Sequence, residues 1–210
     1  MNRIPVGILV SGRGSNMQAL LAAAEADDYP ARVALVLSDV KDAPALDHAR
    51  RAGVEALHIP PGRKGARLAP ETEEEMVALL RSRGVTIVAL AGFMRILSPR
   101  FLAAFPGRVL NIHPSLLPSF PGLDVQRKAL QHGVRFSGCT VHFVDEGIDS
   151  GPIILQAVVP VEDDDTPETL AARILKEEHR IYPEALRWVA ENRIELVGRR
   201  CIQRKPGGAG

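Results

Sequence analysis

Short runs of apolar, β-branched residues alternate with helix-like segments through the first half of the chain. The runs lie at residues 4–10, 32–38, 54–59, 85–92 and 108–113, and segments with helical periodicity separate them. A parallel strand that is buried on both faces reads as a continuous apolar run, and strands that alternate with helices form βαβ units. The sequence therefore predicts an α/β fold with a doubly wound, mostly parallel sheet.

The pattern changes in the second half of the chain. Residues 135–144 and 151–161 read as two strands with no helix between them, and residues 166–192 read as one long helix. This predicts an antiparallel C-terminal strand pair and a long C-terminal helix. Because no internal repeat or linker is evident, we expect one domain over residues 1–197 and a flexible tail over residues 198–210.

Composition and charge narrow the class of protein. The chain has 210 residues, is 46% hydrophobic and carries a net charge of +1, which does not favour a nucleic-acid partner. The N-terminal segment lacks the apolar region of a signal peptide, and no apolar run reaches the ~20 residues of a membrane span. Two cysteines are too few for a disulfide framework. We therefore expect a cytoplasmic protein with no membrane partner.

A glycine-rich loop, SGRGSN at residues 11–16, leads from the first strand directly into a helix. The free backbone N–H groups and the dipole at a helix N-terminus favour an anion. Alternatively, Ser15 is an ordinary N-cap in a tight turn. The loop lacks the lysine of the Walker motif and the third glycine of the dinucleotide motif, so a phosphomonoester fits best. Asp39, which ends the second strand, keeps an NAD enzyme open as an alternative.

Asn111 and His113 end the fifth strand of the predicted sheet. Residues i and i+2 of a strand point to the same face, and ligands of open α/β sheets collect at the carboxyl ends of strands. An amide and an imidazole side by side are therefore candidates for a site. Asp149 lies in the loop after the sixth strand, where it either forms an Asx-type turn or accompanies His113. A carboxylate beside an imidazole favours the protonated ring and fixes its orientation.

Glu178 interrupts the apolar stripe of the long C-terminal helix. A carboxylate on a core-facing stripe must be paired or bound to a ligand. Cys139 and His142 have a C-x-x-H spacing, but such residues face opposite sides of a strand. We therefore expect no metal site.

Five motifs together resemble a known family: GRGSN, LAGFMRILS, LNIHPSLLPSFPG, TVHFVDEGIDSGPIILQ and KEEHRIYP, which lie within residues 4–190. In this order and spacing they resemble the phosphoribosylglycinamide formyltransferases, a branch of the folate-dependent formyltransferases. The resemblance implies transfer of a formyl group from 10-formyltetrahydrofolate to the amine of glycinamide ribonucleotide, in purine biosynthesis. It implies small-molecule substrates and no metal, and it leaves a homodimer open.

The resemblance also implies roles for individual residues. His113 resembles the general acid, Asn111 the donor to the oxyanion, and Asp149 the carboxylate that favours the protonated form of His113. The residues that resemble substrate ligands are Gly14, Ser15 and Asn16, for the phosphate, and Glu178, for the ribose. The residues that resemble folate ligands are Met94, Arg95, Ile96, Leu97, Asn111 and Arg67.

The chain departs from the family pattern after the PG dipeptide, where Asp124 and Gln126 stand in place of histidines. Two other branches share the central motif. Methionyl-tRNA formyltransferase carries a further RNA-binding domain, and formyltetrahydrofolate hydrolase carries an N-terminal regulatory domain, and we expect neither here. The hydrolase and, from a different class, an NAD-dependent oxidoreductase remain the alternatives.

Overall fold

The computed structural model describes residues 3–204, which group into two compact units. The first unit ends at Asn111 and the second begins at Ile112, so the boundary falls within the fifth strand. The prediction of a single domain stays a prediction. The elements as far as the boundary strand are β1 (Ile4–Val10), α1 (Ser15–Ala24), β2 (Ala31–Ser38), α2 (Pro44–Arg51), β3 (Ala56–His58), α3 (Pro70–Ser82), β4 (Ile87–Leu90), α4 (Pro99–Ala104) and β5 (Val109–His113).

The strands of the first unit form a parallel sheet in the order β3-β2-β1-β4-β5. Its central strands are buried on both faces: Ile8, Leu37 and Val88 have no exposed surface. The strand order reverses direction at the β1/β4 pair, which is the usual ligand crevice of a doubly wound sheet. The predicted parallel sheet is confirmed, and the reversal places the loops that follow β1 and β4 beside each other.

The second unit contains α5 (Val125–Gln131), β6 (Phe136–Phe143), β7 (Ile153–Pro160), α6 (Pro167–Ala190), β8 (Ile194–Val197) and β9 (Arg200–Gln203). Strands β6 and β7 are antiparallel, as predicted, and Gly138 lies opposite Val158. Helix α6 begins with a capping box, in which Thr166 and Thr169 exchange side-chain and backbone hydrogen bonds. The predicted strand pair and the predicted long helix are both confirmed.

The C-terminal end differs from the sequence-based expectation of a flexible tail from residue 198. Gly198, with φ 61°, forms the turn of a β-hairpin, and β9 pairs with β8 through residue 203. Most side chains of this hairpin are exposed, including the apolar Leu196, Val197 and Ile202, so backbone pairing and not a buried apolar face orders the segment. The rest of the predicted tail, 205–210, lies outside the described residues. Within the described part of the chain, no helix is both long and apolar enough to cross a membrane.

Candidate active site

The glycine loop joins β1 to α1 through a left-handed residue. Gly14 is the N-cap of α1 with φ 76° and ψ 30°, and no side chain caps the helix at this position. A Cβ at Gly14 would lie 2.6 Å from the Cβ of Ala45, so the position is limited to glycine by both conformation and space. Ser15 is the first residue of the helix, and the interpretation of Ser15 as an ordinary N-cap is therefore wrong. The arrangement is suited to an anion.

Asn16 and Ser15 follow the cap in the first turn of α1. The Asn16 side chain is buried, with 9% of the residue exposed, while Ser15 is half-buried. The first turn of α1 contains no acidic residue. An anion at this helix end would thus meet no opposing carboxylate from the helix itself.

Asp39, at the end of the β2 strand, is engaged on both carboxylate oxygens. Ser11 Oγ donates to Oδ1 at 2.6 Å, and Arg95 Nε donates to Oδ2 at 2.6 Å. The Asp39 side chain is only 3% exposed. Because both oxygens already have donors, the carboxylate is poorly placed to accept from a ribose, and the NAD alternative loses its main support.

The segment that follows β4 carries four of the predicted folate ligands. Met94 is 60% exposed, whereas Leu97 is 6% exposed and packs inward. The Met94 backbone N–H donates to Ser11 Oγ at 2.9 Å, and the Ile96 N–H donates to the Ala66 carbonyl at 2.8 Å. Arg67 forms a parallel β-bridge with Ile96. The structure thus brings Arg67 and the 94–97 segment together, with the Arg95 guanidinium held by Asp39.

Asn111 and His113 stand two residues apart in β5, on the same face of the strand. Asn111 is half-buried and His113 is 5% exposed. His113 Nδ1 lies 3.3 Å from Asp149 Oδ2, and His113 Nε2 lies 3.0 Å from the Phe120 carbonyl. Both ring nitrogens face oxygen acceptors, and only the imidazolium can donate to both at once. The Asp149 carboxylate and the His113 ring, separate in sequence, are adjacent in the second unit.

Asp149 occupies a strained position in the loop between β6 and β7. Its backbone is left-handed, with φ 50°, and its Oδ2 also accepts from the Gly122 N–H at 2.8 Å. Within the same loop, Asp145 Oδ1 accepts from Ser150 Oγ at 2.6 Å. A non-glycine residue in this conformation persists only where the surroundings hold it, which is a common property of functional positions.

His142 is a second histidine beside Asp149, and its sequence pattern predicted no role for it. Its Nε2 lies 3.7 Å from Asp149 Oδ1, and its Nδ1 donates to the Phe143 carbonyl at 2.8 Å. Burial lowers the pKa of His142 below the ordinary value, and the hydrogen bond to Phe143 and the Asp149 charge oppose the shift. The sequence feature that could have identified His142 as a site residue is its position at the end of a buried strand, a position that His113 shares.

Two further features of the sequence concern Glu178, the predicted ribose ligand, and Asp124, which follows the PG dipeptide. Glu178 is 6% exposed on α6, between the buried residues Ile174 and Ile181, so the predicted place on the apolar face is correct. Asp124 is the N-cap of α5 and forms an exposed ion pair with Arg127 at 3.2 Å. Asp124 therefore stands at the start of a short helix, and its side chain makes no capping hydrogen bond there.

The sequence profile of the family described as "Formyl transferase" matches residues 5–186. The chain is 41% identical to "Phosphoribosylglycinamide formyltransferase" of Escherichia coli strain K12, with 90% of this chain and 88% of that protein covered. It is also 41% identical to "Trifunctional purine biosynthetic protein adenosine-3" of Gallus gallus, covering 95% of this chain but only 20% of that longer protein.

A solved structure provides an independent comparison. Glycinamide ribonucleotide transformylase 1 from Symbiobacterium toebii superposes with a TM-score of 0.92 at 53% identity, and the match covers 97% of this chain and 95% of that chain. The glycine loop, the strand end with Asn111 and His113, and the Asp149 loop all lie within the matched residues 5–186. This chain belongs to the formyl transferase family.

Proposed function

We propose that this protein transfers a formyl group from 10-formyltetrahydrofolate to the amine of glycinamide ribonucleotide, a step of purine biosynthesis. The observation that carries the proposal is the buried His113–Asp149 pair, with 3.3 Å between Nδ1 and Oδ2, in a chain of this family. The similarity to phosphoribosylglycinamide formyltransferases supports the choice of acceptor, and the family supports the formyl donor.

The ribonucleotide is held, in this proposal, by two groups of residues. Gly14, Ser15 and Asn16 bind the phosphate through the N-terminus of α1, where backbone N–H groups and the helix dipole favour negative charge. Glu178 accepts hydrogen bonds from the ribose hydroxyls. The Glu178 carboxylate is 6% exposed, and its two oxygens offer several acceptor sites for hydroxyl groups.

The folate binds along the 94–97 segment, with Arg67 and Asn111 as further ligands. Because Asp39 and the Gly65 carbonyl engage the Arg95 guanidinium, Arg95 contributes to this contact through its backbone. The exposed Met94 side chain supplies apolar surface for an aromatic ligand.

The proposed chemistry is an acyl transfer with a balanced exchange of protons. The amine nitrogen attacks the formyl carbon, and the new C–N bond produces a tetrahedral oxyanion. The Asn111 amide donates to that oxygen, as donors of this kind stabilise charge that develops in the transition state. His113, with Nδ1 held by Asp149, exchanges the Nε2 contact with the Phe120 carbonyl for one with the folate N10 and donates the Nε2 proton as the C–N10 bond breaks; Nε2 then takes back the proton that the amine releases.

We propose further that the enzyme acts in the cytoplasm as a free protein or a homodimer, without a metal, nucleic acid or membrane. Acid catalysis and oxyanion stabilisation suffice for this reaction class. Cys139 and Cys201 are free thiols, and burial raises their pKa values to about 12 and about 11. Two cysteines that form no disulfide suit a reducing compartment, where structural disulfides are rare.

The test is turnover of a 10-formyl folate analogue, followed by absorbance, with and without glycinamide ribonucleotide. We expect Asn111→Ala to lower turnover by about 10²–10³ and His113→Ala by about 10²–10⁴. Asp149→Asn should keep the fold and lower turnover by less. His48→Ala, at a histidine of α2 that contacts Arg51, is the matched control and should retain the wild-type rate.

Each other outcome has a definite meaning. Formyl release without the ribonucleotide would indicate the hydrolase, and hydride transfer to a nicotinamide cofactor would indicate the oxidoreductase. Full turnover by His113→Ala or Asn111→Ala would refute the assigned roles.

A further inference from the structure

Asp39 joins three segments of the first unit that are far apart in sequence. Its carboxylate accepts from Ser11, in the glycine loop, and from Arg95, in the 94–97 segment, each at 2.6 Å. Ser11 Oγ in turn accepts from the Met94 N–H at 2.9 Å. The Arg95 guanidinium also donates to the Gly65 carbonyl, in the loop at 61–69. One buried carboxylate is thus the centre of a hydrogen-bonded cluster.

The cluster has the features of a rigid support. The side chains of Asp39 and Arg95 are 3% and 22% exposed. A carboxylate so deeply buried is costly unless its oxygens are paired, so the arrangement in which Ser11 and Arg95 both donate is strongly favoured over alternatives. Hydrogen bonds to a charged group are stronger than neutral ones. Loss of Ser11 or Arg95 would leave an Asp39 oxygen buried without its donor, and this would weaken the other hydrogen bonds of the cluster.

The loop at 61–69 depends on few other attachments. Residues 62–67 are all exposed, and Leu68, which is 4% exposed, is the one buried residue of the loop. The hydrogen bonds that fasten the loop are Ala69 N to the Pro61 carbonyl, 2.9 Å, and Ile96 N to the Ala66 carbonyl, 2.8 Å, besides the Arg95 contact with Gly65. A segment with little burial and few hydrogen bonds opens locally at low free-energy cost, so the Arg95 contact is a substantial part of its order.

We propose that Asp39 is a positioning residue that holds the 94–97 segment and, through Arg95, the loop at 61–69 in place against the glycine loop. The inference rests on the proposed roles of these segments, since they would bind the folate and the substrate phosphate. Asp39 touches neither reacting group. It acts by keeping the backbone groups of both segments in their binding positions, which affects ground-state binding more than the chemical step.

Two independent measurements test the proposal. The first is limited trypsin digestion without substrates, with cleavage after Arg63, Lys64 and Arg67 quantified by mass spectrometry; all three sites lie in the exposed part of the loop. We expect Asp39→Ala to increase this cleavage about tenfold, because the loop opens more often. Arg95→Ala should do the same, and the double variant should be no faster than either single one, since the two side chains act as a unit.

The second measurement is steady-state kinetics with both substrates. Asp39→Ala should raise KM for the formyl folate about tenfold while kcat stays within about threefold of wild type. Asp39→Asn, which keeps an oxygen acceptor without the charge, should give intermediate values. Asp47→Ala, which removes an exposed ion pair with Arg50 at 3.1 Å on α2, is the control and should match wild type in both assays.

The outcomes separate this proposal from the proposed function. Wild-type loop cleavage in both Asp39→Ala and Arg95→Ala, or additive effects in the double variant, would overturn the positioning role. If Asp39→Ala does not fold, Asp39→Asn and Arg95→Gln provide the same comparison, and wild-type cleavage and KM in both would overturn it too. A wild-type protein that transfers no formyl group refutes the proposed function alone, because the digestion requires no substrate.

Discussion

Replacing Thr140 by valine tests how the second unit holds the turn that follows His113. Thr140 has no exposed surface, and its hydroxyl makes three hydrogen bonds. It donates to the Ser115 carbonyl at 2.7 Å and accepts from the Leu117 N–H at 3.0 Å and from Gln156 Nε2 at 2.9 Å. Valine has the same shape without the hydroxyl, so the substitution removes hydrogen bonding and leaves packing nearly unchanged.

The expected loss of stability follows from these contacts. Three hydrogen bonds at a net ~1 kcal/mol each amount to about 3 kcal/mol. The Leu117 N–H and the Ser115 carbonyl would be left buried next to a methyl group, which increases the cost, whereas Gln156 retains its bond to the Leu117 carbonyl at 2.9 Å. We therefore expect Thr140→Val to lower the free energy of unfolding by about 2–4 kcal/mol.

The assay is equilibrium unfolding in guanidinium chloride, followed by far-UV circular dichroism and by the fluorescence of Trp188, the only tryptophan. Coincident transitions would justify a two-state analysis. Thr140→Ser keeps the hydroxyl, loses one methyl group and should cost only about 1 kcal/mol. The reasoning is refuted if Thr140→Val lies within about 0.5 kcal/mol of wild type, or if Thr140→Ser is equally destabilised.

Two further predictions concern the glycine loop and His142. Gly14→Ala should destabilise the protein and raise KM for the ribonucleotide, because its φ is 76° and the new Cβ would lie 2.6 Å from the Ala45 Cβ; Gly12→Ala, with nothing within 4 Å, should fold as wild type in thermal unfolding. Burial lowers the pKa of His142 below 6.5, so the unfolded chain binds a proton there that the folded chain does not, and stability falls as pH drops below about 6.5. His142→Gln should reduce the decrease in the free energy of unfolding between pH 7.5 and 5.5, measured by urea titrations at each pH. The same pH dependence in His142→Gln and wild type would contradict this prediction.

Strands and helices of both units were predictable where each carries its own pattern. Strand β1 was predicted at 4–10 and is observed at Ile4–Val10, since a strand buried on both faces is apolar throughout. Helix α6 was predicted at 166–192 and spans Pro167–Ala190, with Thr166 as its cap. The hairpin of β8 and β9 was missed because its side chains are mostly exposed and its order comes from backbone pairing.

The candidate site was predictable where neighbours in sequence are neighbours in space. Asn111 and His113 share a face of β5 because strand geometry alone requires it. The role of Gly14 was only partly evident, since the sequence left Ser15 open as an alternative cap and the structure shows Gly14 at the cap in the left-handed conformation. The choice between these two depends on the φ angle that the loop adopts, which the sequence does not specify.

The sequence by itself determined the βαβ order, the same-face pair at the end of β5 and the buried place of Glu178, because backbone periodicity and hydrophobic patterning act over a few residues. Tertiary structure alone decided the partners of the acidic groups. Asp149 meets the imidazole of His113 at 3.3 Å, and Asp39 pairs with Ser11 and Arg95 instead of standing free for a ribose. A carboxylate finds its partner through the packing of distant loops, and the cost of burying an unpaired charge makes the folded arrangement specific.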